Sequence, residues 1–180
     1  MISGHIPFFF FFWGPALVAL GLIWGIWRMR RLGVRPGLGS DIDGYSARDV
    51  REILELYGVE GRAAWRWRIL PADTAFAAFY GLVALGLALG LMERGHGALI
   101  AFACGGGWIL ASIMDIRENM AFARMADTFP AVDELTARRA ASFTTLKFWL
   151  FLIGLVGVLA AFYLARPTAD PLLRSLFSVQ

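Results

Sequence analysis

Charge is scarce in this chain. Only 17% of its 180 residues are charged, and four stretches hold no charged residue at all: Met1 to Trp27, Thr74 to Met92, Gly97 to Met114 and Phe148 to Ala165. A water-soluble domain of this length needs more polar surface, and a hydrophobic content of 58% with a mean hydropathy of +0.61 points the same way. Cysteine occurs once, as Cys104, which excludes an intrachain disulfide and zinc sites of the multi-cysteine kind. Histidine occurs twice. His5 and His96 could ligate a haem only from neighbouring helices, but His5 precedes the first expected span and His96 falls in a short turn, so no cofactor is expected. Nucleophile motifs, a glycine-rich phosphate loop and a paired HxxxH are also missing.

What is present is hydrocarbon-length helix. The last three uncharged stretches run to 19, 18 and 18 residues, close to the roughly 20 that an α-helix needs to cross about 30 Å of hydrocarbon. They lack the alternation of a barrel strand, and unpaired backbone groups in lipid are too costly for open structure. The first stretch differs from a signal peptide. No Lys or Arg precedes it, no small-x-small site follows it, and Arg28, Arg30 and Arg31 come directly after. The sequence therefore predicts an all-α membrane protein, one four-helix bundle with spans at about 6–27, 72–92, 97–122 and 147–165, a linker with amphipathic helix over 28–71, and a tail over 166–180.

The net charge of +3 does not point to nucleic acid, because the basic residues sit where membrane proteins place them. Nine of the seventeen fall between Arg28 and Arg68, five between Arg117 and Lys147, and only Arg94 in the turn between spans two and three. The positive-inside rule puts both long loops in the cytoplasm and both termini outside, here across a bacterial inner membrane.

Between the first two spans, residues 31–40 form a glycine- and proline-punctuated linker. Ser46 then caps a helix with Asp49 three residues on, and Val50, Ile53, Leu54 and Tyr57 fall on one face of it. Arg48, Arg51, Glu52 and Glu55 make the solvated face, and Gly58 ends the helix. Trp65-Arg66-Trp67-Arg68 is expected to anchor at headgroup depth, and Pro71 to sit in the first turn of span two. Gly21 with Gly25, Gly86 with Gly90, and Gly105 to Gly107 offer faces for close helix approach, which suits a packed bundle better than a channel.

The chemistry-bearing residues lie at one end of the spans. Span two opens with Asp73 and carries Tyr80 seven residues on. Asp115, Glu118 and Asn119 share one face at the end of span three, while Lys147 opens span four with Thr144 one turn earlier. Topology brings these groups to one depth. Three carboxylates then face a single inward lysine, since Arg117 lies about 200° around its helix from Asp115 and snorkels outward. Arg66 or Arg68 folding over the layer, carboxyl protonation, or a bound cation would balance the excess. As a metal-ligand set these acids are too generic to specify an ion.

Four pieces of the chain, Tyr45 through Gly61, Leu70-Pro-Ala-Asp-Thr-Ala-Phe76, Asp115-Ile-Arg-Glu-Asn119 and Thr144-Thr-Leu-Lys-Phe148, together resemble a widespread uncharacterised family of small bacterial four-helix integral membrane proteins. The resemblance covers about residues 45–160. It implies four spans and emphasis on the same acids and lysine, and it implies no reaction. A looser similarity of architecture to sterol-isomerase-like membrane proteins lacks that family's motifs and its membrane histidine.

Three function classes follow. The layer is a clasp in a structural or accessory subunit; or it is the acid/base or cation site of a small lipid-binding or lipid-metabolising protein, with Asp73, Asp115, Glu118 and Lys147 as candidate catalytic residues and Asn119, Tyr80 and Thr144 in support; or it belongs to a proton-coupled or transporter-like oligomer. Membrane lipid, a second copy or another membrane protein are the expected partners.

Overall fold

A computed structural model describes residues 43–164 and scattered helical positions between 13 and 31. The expected first span and the linker after it thus lie largely outside the described residues, and the tail after 165 wholly outside. The described part is helical: α1 over Ala47–Ala64, a π-helical turn over Trp65–Ile69, α2 over Leu70–Glu93, α3 over Ala98–Asp127 and α4 over Glu134–Leu164. Three helical segments are long and apolar enough to cross a membrane, namely the one ending in α2, then α3 and α4.

Each helix is longer than its uncharged stretch. α3 runs on to Asp127 and α4 begins at Glu134, well before the expected start of span four. These extensions are amphipathic and polar, so hydropathy does not mark them. They give α1 something to pack on.

α1 begins with the Ser46–Asp49 capping box, in which the Ser46 backbone amide donates to Asp49 at 2.7 Å. Glu134, in the first turn of α4, accepts from the Ala47 amide at 3.0 Å, so a carboxylate meets the N-terminal dipole of α1. Val50 and Leu54 are fully buried, and Arg48, Arg51, Glu52 and Glu55 are exposed, in line with the periodicity. Gly58 interrupts the helix with φ of +63°, a conformation open to glycine, and a second segment follows without a loop. Arg62 reaches back and donates to the Leu54 carbonyl at 2.9 Å, filling an acceptor that the break leaves open.

The Trp-Arg repeat departs from the expected anchor. Trp65 is buried with its ring 5.4 Å from Phe122, while Trp67 is exposed. The cause is local winding. Pro71 has no N–H and its ring crowds the carbonyl four residues back, and the π-turn directly before it, where the Leu70 amide donates to Trp65, rewinds the chain ahead of that position. The rewinding turns Trp65 inward.

α3 lies between α2 and α4, and the approach to α4 is backbone to backbone. A Cβ on Gly107 would stand 2.4 Å from the Gly154 nitrogen, and one on Gly157 would stand 2.3 Å from the Cys104 carbonyl oxygen. Trp108 then donates its indole N–H to the Phe151 carbonyl at 3.2 Å. On the other side of α3, Gly105 meets the Ala84 carbonyl. Gly106 faces open space. Gly14 and Gly21, among the described positions of the first apolar stretch, lie against Val83 and Phe76 of α2.

Candidate functional site

Two apolar clusters divide the molecule. One holds Ala77, Tyr80, Leu87, Trp108, Ala111 and Val158 among α2, α3 and α4; the other holds Tyr45, Val50, Leu54, Trp65, Phe122 and Ala140 beneath α1. Along α3 the buried residues between them are Ser112, Asp115, Glu118 and Asn119, all polar. On α2 the intervening residue is Asp73, and on α4 they are Thr144 and Lys147. The polar groups therefore form a layer between two apolar ones.

Lys147 is the hub of that layer. Its ammonium donates to Asp115 Oδ1 at 2.9 Å and to Glu118 Oε2, joining α4 to two successive turns of α3. The second oxygen of each acid is also occupied. Tyr80 of α2 donates to Asp115 Oδ2 at 3.2 Å, and Thr144 donates to Glu118 Oε1. With the Thr144 proton directed to Glu118, Tyr45 is the donor in the 3.2 Å contact between the Tyr45 and Thr144 oxygens. Burial pushes the Tyr45 phenol well above its usual range, which keeps that proton in place. The result is one chain of hydrogen bonds, Tyr45 to Thr144 to Glu118 to Lys147 to Asp115 to Tyr80, that crosses three elements.

Asp73 stands at the edge of this chain. Asn119 Nδ2 donates to Asp73 Oδ2 at 3.0 Å, but the Asp73 residue is exposed whereas Asp115 and Glu118 are buried. Arg66 does not balance it. That guanidinium makes a two-pronged pair with Asp127, at 2.9 and 3.0 Å, and Arg68 is exposed. The acid excess of the layer thus resides at its exposed margin.

Among the described residues every buried side-chain nitrogen and oxygen has a partner, and no three His, Cys, Asp or Glu residues converge as a metal-ligand group. An open groove of about 720 Å³ between α2 and α3 reaches Asn119, Thr74 and Arg66 without taking in Asp115 or Glu118. His96 lies in the turn between α2 and α3, and His5 is outside the described residues.

All seven sequence candidates come together in the layer. One member of the site, Tyr45, was missed, as was Asp127, the partner that holds Arg66 outside the layer. Tyr45 precedes the Ser46 cap, so no helical periodicity places its side chain; its proximity to Thr144 arises from the docking of α1 on α4. Asp127 reads as a surface residue until the extension of α3 puts it beside Arg66. No protein-family model, curated protein or solved structure matches this chain.

Proposed function

We propose that the chain is an integral membrane subunit with a structural or accessory role, in which the polar layer is a clasp that ties α2, α3, α4 and the α1 cap into one unit. The observation that carries this reading is the full engagement of Asp115 and Glu118, whose four carboxylate oxygens each accept a hydrogen bond from Lys147, Tyr80 or Thr144. A group that must exchange protons with a substrate needs a free face. These have none. Ionised groups near hydrocarbon are costly unless paired, and this layer pairs them across helices. The exposed apolar residues of α4, Trp149, Ile153, Val156 and Leu159 among them, suit hydrocarbon contact.

The reading extends to a four-span protein of a bacterial inner membrane, related to the four-helix family that the motifs resemble, with the layer at the cytoplasmic side and both termini outside. The test is charge-neutral replacement. Asp115→Asn and Glu118→Gln are expected to lower thermal stability in detergent while the set of co-purifying lipids, identified by mass spectrometry, stays the same. Unchanged stability together with loss of one bound species would overturn the clasp.

One observation favours a second reading, a lipid-binding or lipid-metabolising site. Asp73 is exposed and has a single side-chain partner, as an acid that meets a ligand would. Asp73→Asn separates the two, since a clasp tolerates it and a site loses its ligand.

A further inference from the structure

Outside the polar layer, the cavity that the observations develop furthest lies between α3 and α4. It is a groove of about 410 Å³ with Arg117 and Arg124 on the α3 wall, Arg139 and Thr136 on the α4 wall, and Met120 and Phe143 beneath them. That volume falls in the range of about 300–1,000 Å³ that suits small ligands. Arg117 and Arg124 are seven residues apart, two turns of one face, and they lie on the side of α3 turned away from Asp115. The groove therefore opens to the surroundings and not into the clasp.

Three guanidinium groups share this groove. Among the described residues none of the three makes an ion pair. The nearby acids are engaged elsewhere: Asp127 with Arg66, and Glu134 with Arg138 and the Ala47 amide. Asp133 lies near enough to Arg139 to feel its charge, and its carboxylate is held below the usual range chiefly by the Thr136 hydroxyl and amide, at 2.8 Å each. One shared acid leaves the groove strongly cationic. Guanidinium forks fit phosphate oxygens, and a basic groove between membrane helices at the headgroup level matches an anionic lipid.

The apolar residues decide between lipid and free anion. Met120 is 67% exposed, and the same faces continue toward the middle of the helices with Ile113 on α3 and Leu146 on α4, 41% and 47% exposed. A free phosphate has no use for that track; an acyl chain does. We infer that the groove between α3 and α4 is a binding site for an anionic phospholipid, its phosphate held by Arg117, Arg124 and Arg139 and an acyl chain lying over Met120, Ile113 and Leu146. The site rests on the membrane reading but not on the clasp, because it shares no side chain with the polar layer.

The experiment uses the full chain, delipidated in a neutral detergent, with thermal unfolding followed as dioleoyl phosphatidylglycerol, dioleoyl phosphatidylcholine or inorganic phosphate is added. Phosphatidylglycerol is expected to stabilise at far lower concentration than phosphatidylcholine, and phosphate alone to have no effect at equal concentration. Replacing the arginines by Gln should weaken the phosphatidylglycerol effect about fivefold for each charge and about a hundredfold for all three, taking roughly one increment per basic residue at a lipid surface. The control R48Q/R51Q/R68Q, at exposed arginines outside the groove, should respond as the unaltered chain does. Equal responses to the two lipids, equal stabilisation by inorganic phosphate alone, or equal losses in the control and the groove variant would each overturn the site. Equal responses of the unaltered chain to the two lipids overturn the site even where a variant fails to fold. A lipid preference that disappears with R117Q/R124Q/R139Q but survives Asp115→Asn distinguishes this site from the clasp.

Discussion

The Tyr45 hydroxyl lies 3.2 Å from Thr144 Oγ1, a contact between residues 99 positions apart that joins the start of the α1 cap to α4. Phe122 packs against the Tyr45 ring, with centroids 5.9 Å apart, so ring and hydroxyl have separate roles. Tyr45→Phe keeps the ring and removes one donor from Thr144. A loss of about 1 kcal/mol is expected, the usual worth of one such hydrogen bond. Tyr45→Ala also opens a cavity and should cost about 3–5 kcal/mol, as for other large aromatic truncations. Thermal unfolding in detergent measures both; a Tyr45→Phe variant as stable as the parent would show that the hydroxyl contact contributes nothing of its own, and equal losses would show that the ring contributes nothing.

Among the described residues, Lys147 is the one cation that bonds both Asp115 and Glu118. Lys147→Met leaves two carboxylates buried and uncompensated, and breaking such a pair from one side costs about 3–5 kcal/mol. In a bilayer the figure should fall toward the lower end, because the loosened helices find other polar partners. The triple variant K147M/D115N/E118Q removes the charges together and should recover most of the loss. If the triple variant is no more stable than Lys147→Met, uncompensated charge is not the source of the damage.

The layer was legible in the sequence because it rests on two short-range rules. Helical spacing puts Asp115, Glu118 and Asn119 on one face, and the order of the helices brings the start of α2, the end of α3 and the start of α4 to one end of the bundle. What escaped depends on where helices stop and how they rotate. The polar ends of α3 and α4 carry no hydropathy signal, so Asp127 and Glu134 were not expected as partners of Arg66 and the α1 amide. Trp65 was misplaced because the π-turn before Pro71 rotates its side chain inward. Asp73, expected to be buried with the other acids, is exposed. Its spacing was right, but spacing does not say how far a neighbouring helix extends over it.

Adjacent glycines on α3 give opposite expectations. A Cβ at Gly107 would stand 2.4 Å from the Gly154 nitrogen and 2.8 Å from the Leu150 carbonyl oxygen, whereas nothing lies within 4 Å of one at Gly106. Backbone atoms of a packed helix cannot give way locally. Gly107→Ala should therefore push α3 and α4 apart and destabilise by about 1–3 kcal/mol, the range for overpacking. Gly106→Ala should stabilise by about 0.4–1 kcal/mol through the reduced freedom of the unfolded chain and better helix propensity. Unfolding midpoints of the two variants on either side of the parent would confirm the packing direction of the α3 face.

The same ion-pair chemistry should count for little where water reaches it. Arg66 and Asp127 make two hydrogen bonds at 2.9 and 3.0 Å, a better geometry than the single contact from Lys147 to Asp115, yet their side chains are 24% and 51% exposed. If geometry set the contribution, this pair would be the stronger. Screening by water and headgroups argues the reverse, and exposed pairs are typically worth about 0.2–1 kcal/mol. A double-mutant cycle of Arg66→Ala and Asp127→Ala should give a coupling in that range that shrinks further in high salt, because the partners lie within reach of mobile ions. The corresponding cycle on Lys147 and Glu118, whose carboxylate is 1% exposed, should give a larger coupling that salt leaves nearly unchanged. A salt-insensitive Arg66–Asp127 coupling of equal size would mean that this end of α3 is shielded from solvent.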